Sequence, residues 1–177
     1  MDNYDEFYEY DYADVEDVLP SHKGRTLEAA QSALMAWLRQ KKIKLCPCCG
    51  QKVKIYPRKL NVNMARWLIW LVKAYKEERR WWSVNEGPVL QNRKGGGDFA
   101  KLVHWGLIRE RIDEGSSKRK SGFWKPTRKG AMFVRGKIDV PSHVHLYNNE
   151  IVGWSDEPVT IEEALGKEFS YRELMRS

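Results

Sequence analysis

Cysteine is scarce in this 177-residue chain: the three present, Cys46, Cys48 and Cys49, fall within four positions of one another and cannot build a disulfide framework. Long apolar runs are missing too. The stretch Trp67 to Val72 stops far short of the ~20 residues that a bilayer-spanning helix needs, so no membrane segment is expected. The first twenty residues contain no lysine or arginine, whereas a secretory leader would open with positive charge and continue apolar; a cytoplasmic location is the expectation. No internal repeat is found. Gly95 to Gly97 lack the following Lys-Ser/Thr of a phosphate loop and read as a hinge. No Ser, Cys or carboxylate pattern joins the histidines into a catalytic set, and the chain reads as non-enzymatic.

What is present is enough apolar surface to bury a core, with 42 % hydrophobic and 12 % aromatic residues. Charge is divided unevenly. The net +7 comes from 31 Lys+Arg and 24 Asp+Glu, but residues 1–20 hold eight acids and no base. Taking eight from 24 leaves 16 carboxylates against 31 cations, so the rest of the chain carries about +15. A body so basic points to a polyanion as partner. The acidic segment interleaves Tyr4, Phe7, Tyr8, Tyr10 and Tyr12 with its carboxylates and shows no helical stripe. It is expected to stay mobile until it meets a basic or apolar surface, as a solubilising arm, a cover for a basic groove, or a mimic of nucleic-acid charge.

Four segments follow from the patterning: the tail at 1–20, an N-terminal helix and cysteine turn at 21–60, a helix-and-hairpin segment at 61–136, and a β-α extension at 137–177 packed on it. Leu27, Ala30, Leu34, Trp37 and Leu38 recur at helical spacing after Thr26. Val53 to Tyr56 reads as a strand ended by Pro57. Asn63 is expected to cap a helix to about Glu78 that buries Met64, Leu68, Leu71, Val72 and Tyr75. Trp67, Trp70, Trp81 and Trp82 sit partly off that stripe, as packing against the first helix or as a stacking surface. Asp98 opens a helix over Phe99 to Trp105, stopped by Gly106. Leu107 to Ile112 and Gly122 to Trp124 read as strands around a basic loop, and Thr127 caps a helix through Val134. A β-meander over Lys137 to Trp154, turning at Asn148-Asn149, precedes two short helices opened by Thr160-x-x-Glu163 and Ser170-x-x-Glu173. The fold class is α+β.

The order helix, short connection, helix, then two strands around a basic loop is that of a winged helix-turn-helix. A helix of that kind enters the ~12 Å major groove while the hairpin reaches phosphate or minor groove. Positive charge stands where such a fold would meet DNA: Arg93, Lys94 and Lys101 about the helix, and Lys118, Arg119, Lys120, Lys125 and Arg128 in and after the loop. The stretches Lys101 to Ile108, Gly122 to Gly130 and Phe133-Val134 resemble the recognition helix, wing and Thr-x-Lys-Gly helix start of MarR-like winged-helix proteins. The chain also resembles small phage and prophage winged-helix proteins in which a CPxCG knuckle precedes the helix and a VPxxVxxYNN segment follows, over about residues 43–175. The long bracketing dimerisation helices of MarR regulators are missing. The resemblance implies a phage-encoded protein that binds double-stranded DNA in transcription regulation or host takeover, or one that docks on a host protein.

Cys46-Pro47-x-Cys49-Gly50 has the shape of half a zinc site: two thiolates two residues apart chelate one metal. Two more ligands would be needed for Zn2+. His143 and His145, i and i+2 on one strand face, are the best spaced donors; the alternative is a tight turn with buried thiols.

Overall fold

The computed structural model describes residues 26–39, 44–46, 50–87, 98–112, 122–167 and 169–176. The acidic tail, and what is expected of it, lies outside them. The chain divides into two compact units, Met1–Tyr56 and Pro57–Ser177. No helix among the described residues is long and apolar enough to cross a membrane. The architecture is mixed α and β, with small antiparallel sheets among several helices.

In the first unit, α1 (Leu27–Leu38) starts where the Thr26 hydroxyl accepts from the Ala29 N–H at 3.2 Å, and it buries Ala30, Leu34 and Leu38 at four-residue spacing. Leu27 is 73 % exposed and off the stripe. Two short strands, β1 (Lys44–Leu45) and β2 (Lys52–Val53), then pair antiparallel. They bracket the cysteine turn, closed by Cys46 N–H donating to Gln51 O and Gly50 N–H donating to Cys46 O, both at 2.8 Å.

Pro57 lies inside β3 (Tyr56–Lys59) instead of ending the preceding strand. This strand is at the edge of a sheet, the place where a strand tolerates proline. The following helix, α2 (Val62–Glu77), begins two residues earlier than expected: Asn61 has the extended backbone a cap requires, and its side chain accepts from the Met64 N–H at 3.0 Å. Its buried face is wider than one stripe, because helices and a sheet pack on it from several sides. Trp67 and Ile69 are therefore as buried as Leu68. Trp67 packs on Phe99 with ring centres 4.4 Å apart, so it is a core residue rather than a stacking surface.

After α2 come β4 (Trp82–Ser83) and a 3₁₀ turn, Val84–Glu86, held by a reciprocal Ser83–Glu86 capping box. The expected helix over Phe99 to Trp105 is instead a 3₁₀ helix, Asp98–Val103. The Leu107 N–H bonds the Leu102 carbonyl and the Gly106 N–H the Val103 carbonyl, the pair of bonds that ends a helix on a left-handed residue; Gly106 supplies it with φ +68°. The hairpin strands are shorter than expected on the first arm and shifted on the second: β5 (Ile108–Glu110) and β6 (Phe123–Pro126). With β4 they form one sheet of order β4-β6-β5. Then α3 (Arg128–Val134) follows its Thr127 cap.

The expected meander is a hairpin plus a separate pair. β8 (His143–Tyr147) and β9 (Glu150–Trp154) turn through Asn148 and Asn149, both at positive φ, as a two-residue hairpin turn demands. β7 (Val140–Pro141) pairs instead with β10 (Pro158–Val159), and the third strand beside β8 is β3. The Thr160–Glu163 capping box opens α4 (Ile161–Leu165), while Glu173 N–H donates to Ser170 Oγ at the start of α5 (Tyr171–Arg176). A single core joins residues from both sides of residue 136: Leu68 and Leu71 of α2 share it with Phe133, Val144, Ile161 and Leu165.

Candidate functional site

Alternation fixes what the β4-β6-β5 sheet shows to each side. Ile108 and Trp124 point inward, 2 % and 4 % exposed, and Trp124 meets Phe99 edge-on. The opposite face is basic and aromatic. Register places Arg109 beside Lys125 and Ser83 beside Phe123. Trp81, just before β4, continues the first row: the Lys125 ammonium lies 4.3 Å and the Arg109 guanidinium 5.9 Å from its ring centre. In the second row Arg111 lies 4.4 Å over Phe123, and its N–H bonds the Phe123 carbonyl at 2.8 Å. Cations over ring faces are favourable and keep the rings on the solvent side.

The base of the hairpin is locked. Thr127 Oγ1 donates to the Gly106 carbonyl at 2.6 Å and accepts from the Gly130 N–H at 3.0 Å, while the Thr127 N–H bonds the Leu107 carbonyl at 3.0 Å. A Cβ on Gly130 would overlap that same Leu107 carbonyl oxygen, so only glycine lets α3 sit this close to the strand. The Thr-x-Lys-Gly sequence is thus a mechanical joint. Beyond it Arg128 is exposed in the first turn of α3, which contains no acid.

The expected site residues separate into three groups. Lys125 and Arg128 are on or next to the hairpin face. Lys101 is ion-paired with Asp98, and Asp98 also accepts from Asn61 Nδ2 at 3.5 Å, so its charge is compensated at the 3₁₀ helix. That helix buries Phe99 and Leu102 and exposes Val103. Arg93, Lys94, Lys118, Arg119 and Lys120 lie outside the described residues. Arg80, by contrast, is spent within the fold: it bridges Glu78 at 2.8 Å and Glu86 at 2.7 Å and stacks on Trp82 at 3.4 Å. The pairing pulls the Glu86 carboxyl below its ordinary range, first through the Arg80 hydrogen bond and then through the Ser83 N–H.

Arg109, Arg111 and Phe123 are not among the residues expected from sequence, whereas Trp81 belongs to the tryptophan group expected to pack or to stack. The alternation Ile108, Arg109, Glu110, Arg111 holds the signal for the two arginines. For Trp81 the sequence offers the stacking candidate but not its place beside the hairpin, because a two-residue strand is too short to show a period.

Of the metal candidates, Cys46 belongs to the first unit, His143 and His145 to the second, and Cys49 lies outside the described residues. Among the described residues no group of three or more His, Cys, Asp or Glu side chains could hold a metal ion. His143 Nδ1 is engaged by Ser142 Oγ at 2.9 Å, and burial, Lys59 and His145 together hold its pKa below the ordinary value. Ser142 is buried and also bonded to Ser155 Oγ at 3.0 Å, so this hydroxyl ties a strand corner. Compared with known proteins, the chain matches no family model, no curated protein and no solved structure.

Proposed function

We propose that the chain is a non-enzymatic, winged-helix-type protein that binds duplex DNA with its hairpin. The observation that carries this is the outer face of β5 and β6: Arg109 and Lys125 in register on one side of a sheet whose other side buries Ile108 and Trp124. Between these strands the sequence places Lys118, Arg119 and Lys120, so the positive charge continues into the loop. The strand β4 beside β6 and the Thr127 joint support the winged reading, since both hold the hairpin at a fixed angle to α2 and α3. The contribution of the 3₁₀ helix is smaller, with Lys101 neutralised by Asp98. A regulatory role for a phage-encoded protein comes into this reading from the resemblance alone.

Fluorescence anisotropy on a labelled duplex across a salt series tests it. Each phosphate contact contributes about 0.9 to the slope of log K against log salt. Replacing Arg109 and Lys125 by Ala is expected to weaken binding and lower that slope by one to two contacts' worth. A slope unchanged in the double variant overturns the assignment.

Docking on a protein is the second reading, favoured by β9, the outer strand of its sheet, where Ile151 is 44 % and Trp154 38 % exposed. Capture of a purified binding protein that survives nuclease treatment and is lost in Ile151→Lys would favour it over DNA binding.

A further inference from the structure

The hairpin face carries more than a duplex backbone asks for. Phosphates need cations, and the faces of paired bases are hidden inside a duplex, so a duplex gains nothing by stacking on these rings. Yet rings and cations alternate across it in two rows, Trp81-Lys125-Arg109 and Ser83-Phe123-Arg111. Trp81 is half-buried on the solvent side, while Trp67, Trp105 and Trp124 are 4 % exposed or less. The Lys125 and Arg109 side chains over Trp81 suit an unpaired nucleotide: stacking of a base, worth about 1–3 kcal/mol, exceeds the about 0.5–1 kcal/mol of an exposed cation over a ring, so the base takes the ring face and the cations turn to its phosphates.

Resting on the reading that this face binds nucleic acid, we infer that its preferred ligand is DNA with a single-stranded segment. An unpaired base stacks on Trp81, and Lys125 and Arg109 hold the backbone beside it.

The test compares the full chain on two probes, a blunt duplex of about 20 base pairs and the same duplex with an oligothymidine overhang of about ten nucleotides. Stacking of one base is worth roughly fivefold to a hundredfold in affinity, so the overhang probe is expected to bind tighter by that factor. Trp81→Leu should abolish the difference in affinity between the two probes, whatever it does to each alone. Trp81→Phe should keep most of the preference, and the difference in fluorescence quenching between it and wild type on adding oligothymidine isolates residue 81 even if Trp81→Leu fails to fold. Equal affinity for the two probes, with Arg109→Ala weakening both, overturns this inference and leaves the duplex reading standing. An overhang preference that survives in folded Trp81→Leu, or quenching identical in wild type and Trp81→Phe, also overturns it. Binding to neither probe removes the nucleic-acid reading itself.

Discussion

At the scale of single residues, the joint between strand and helix is the most sensitive point. Gly130→Ala forces a side-chain carbon into the Leu107 carbonyl and is expected to lower stability by about 1–3 kcal/mol, as overpacking against backbone does. Thr127→Val keeps the shape but loses the cap and the bond to Gly106; a loss of about 1 kcal/mol is expected, read from urea unfolding. Protonation offers a second handle. His104 is held below its ordinary value of 6.5, first by burial and then by Lys101. The unfolded chain therefore takes up a proton in a range where the folded chain refuses it. Stability from this group is complete above 6.5 and declines as pH falls through that value. His143 has the same sign, whereas the lowered Glu86 and Glu163 act only below their ordinary value of 4.5. His104→Gln should flatten the dependence of melting temperature on pH between about 7.5 and 5.5; an unchanged dependence would refute it.

At the scale of elements, helix and hairpin make separable contributions. Lys101→Ala should leave the salt slope of duplex binding nearly unchanged, because Asp98 already neutralises that charge, while Lys125→Ala should lower it by about one contact. The reverse order would move the reading surface to the 3₁₀ helix. Caps and turns were legible in the sequence: Thr26, Thr127, Thr160 and the Asn148-Asn149 pair each act locally and occur where their chemistry points. Two asparagines two residues apart offer the same cap chemistry, and the extended backbone belongs to Asn61 while Asn63 lies inside the helix. After Asp98, Phe99, Leu102 and Trp105 fit a three-residue spacing as well as a 3.6-residue one, so the pattern does not separate a 3₁₀ helix from the expected helix. Pairings between distant strands, β3 with β8 and β7 with β10, leave no local trace, so the meander was misjudged. For the same reason the sequence names Trp81 as a stacking candidate without placing it beside Lys125 and Arg109. Trp81 reaches Lys125 only through pairing across some forty residues of sequence.

At the scale of the whole molecule, charge is partitioned between an acidic stretch and a basic remainder. Deleting residues 1–20 removes eight carboxylates and should tighten duplex binding at low salt, with the difference vanishing as salt rises. Equal affinity for the two chains at low salt would exclude competition by the tail. The second unit is bound into one body by contacts far apart in sequence: Tyr171 donates to the Val134 carbonyl at 2.7 Å, and Lys73 to the Leu174 carbonyl at 3.0 Å. Through Thr127 and Gly130 the hairpin base joins that body. Its consequence is calorimetric. A ligand settling on Trp81, Lys125 and Arg109 meets a surface already set, so little ordering entropy is lost in that part of the interface. Its heat-capacity change should follow the apolar area covered and not the larger signature of a segment folding as it binds.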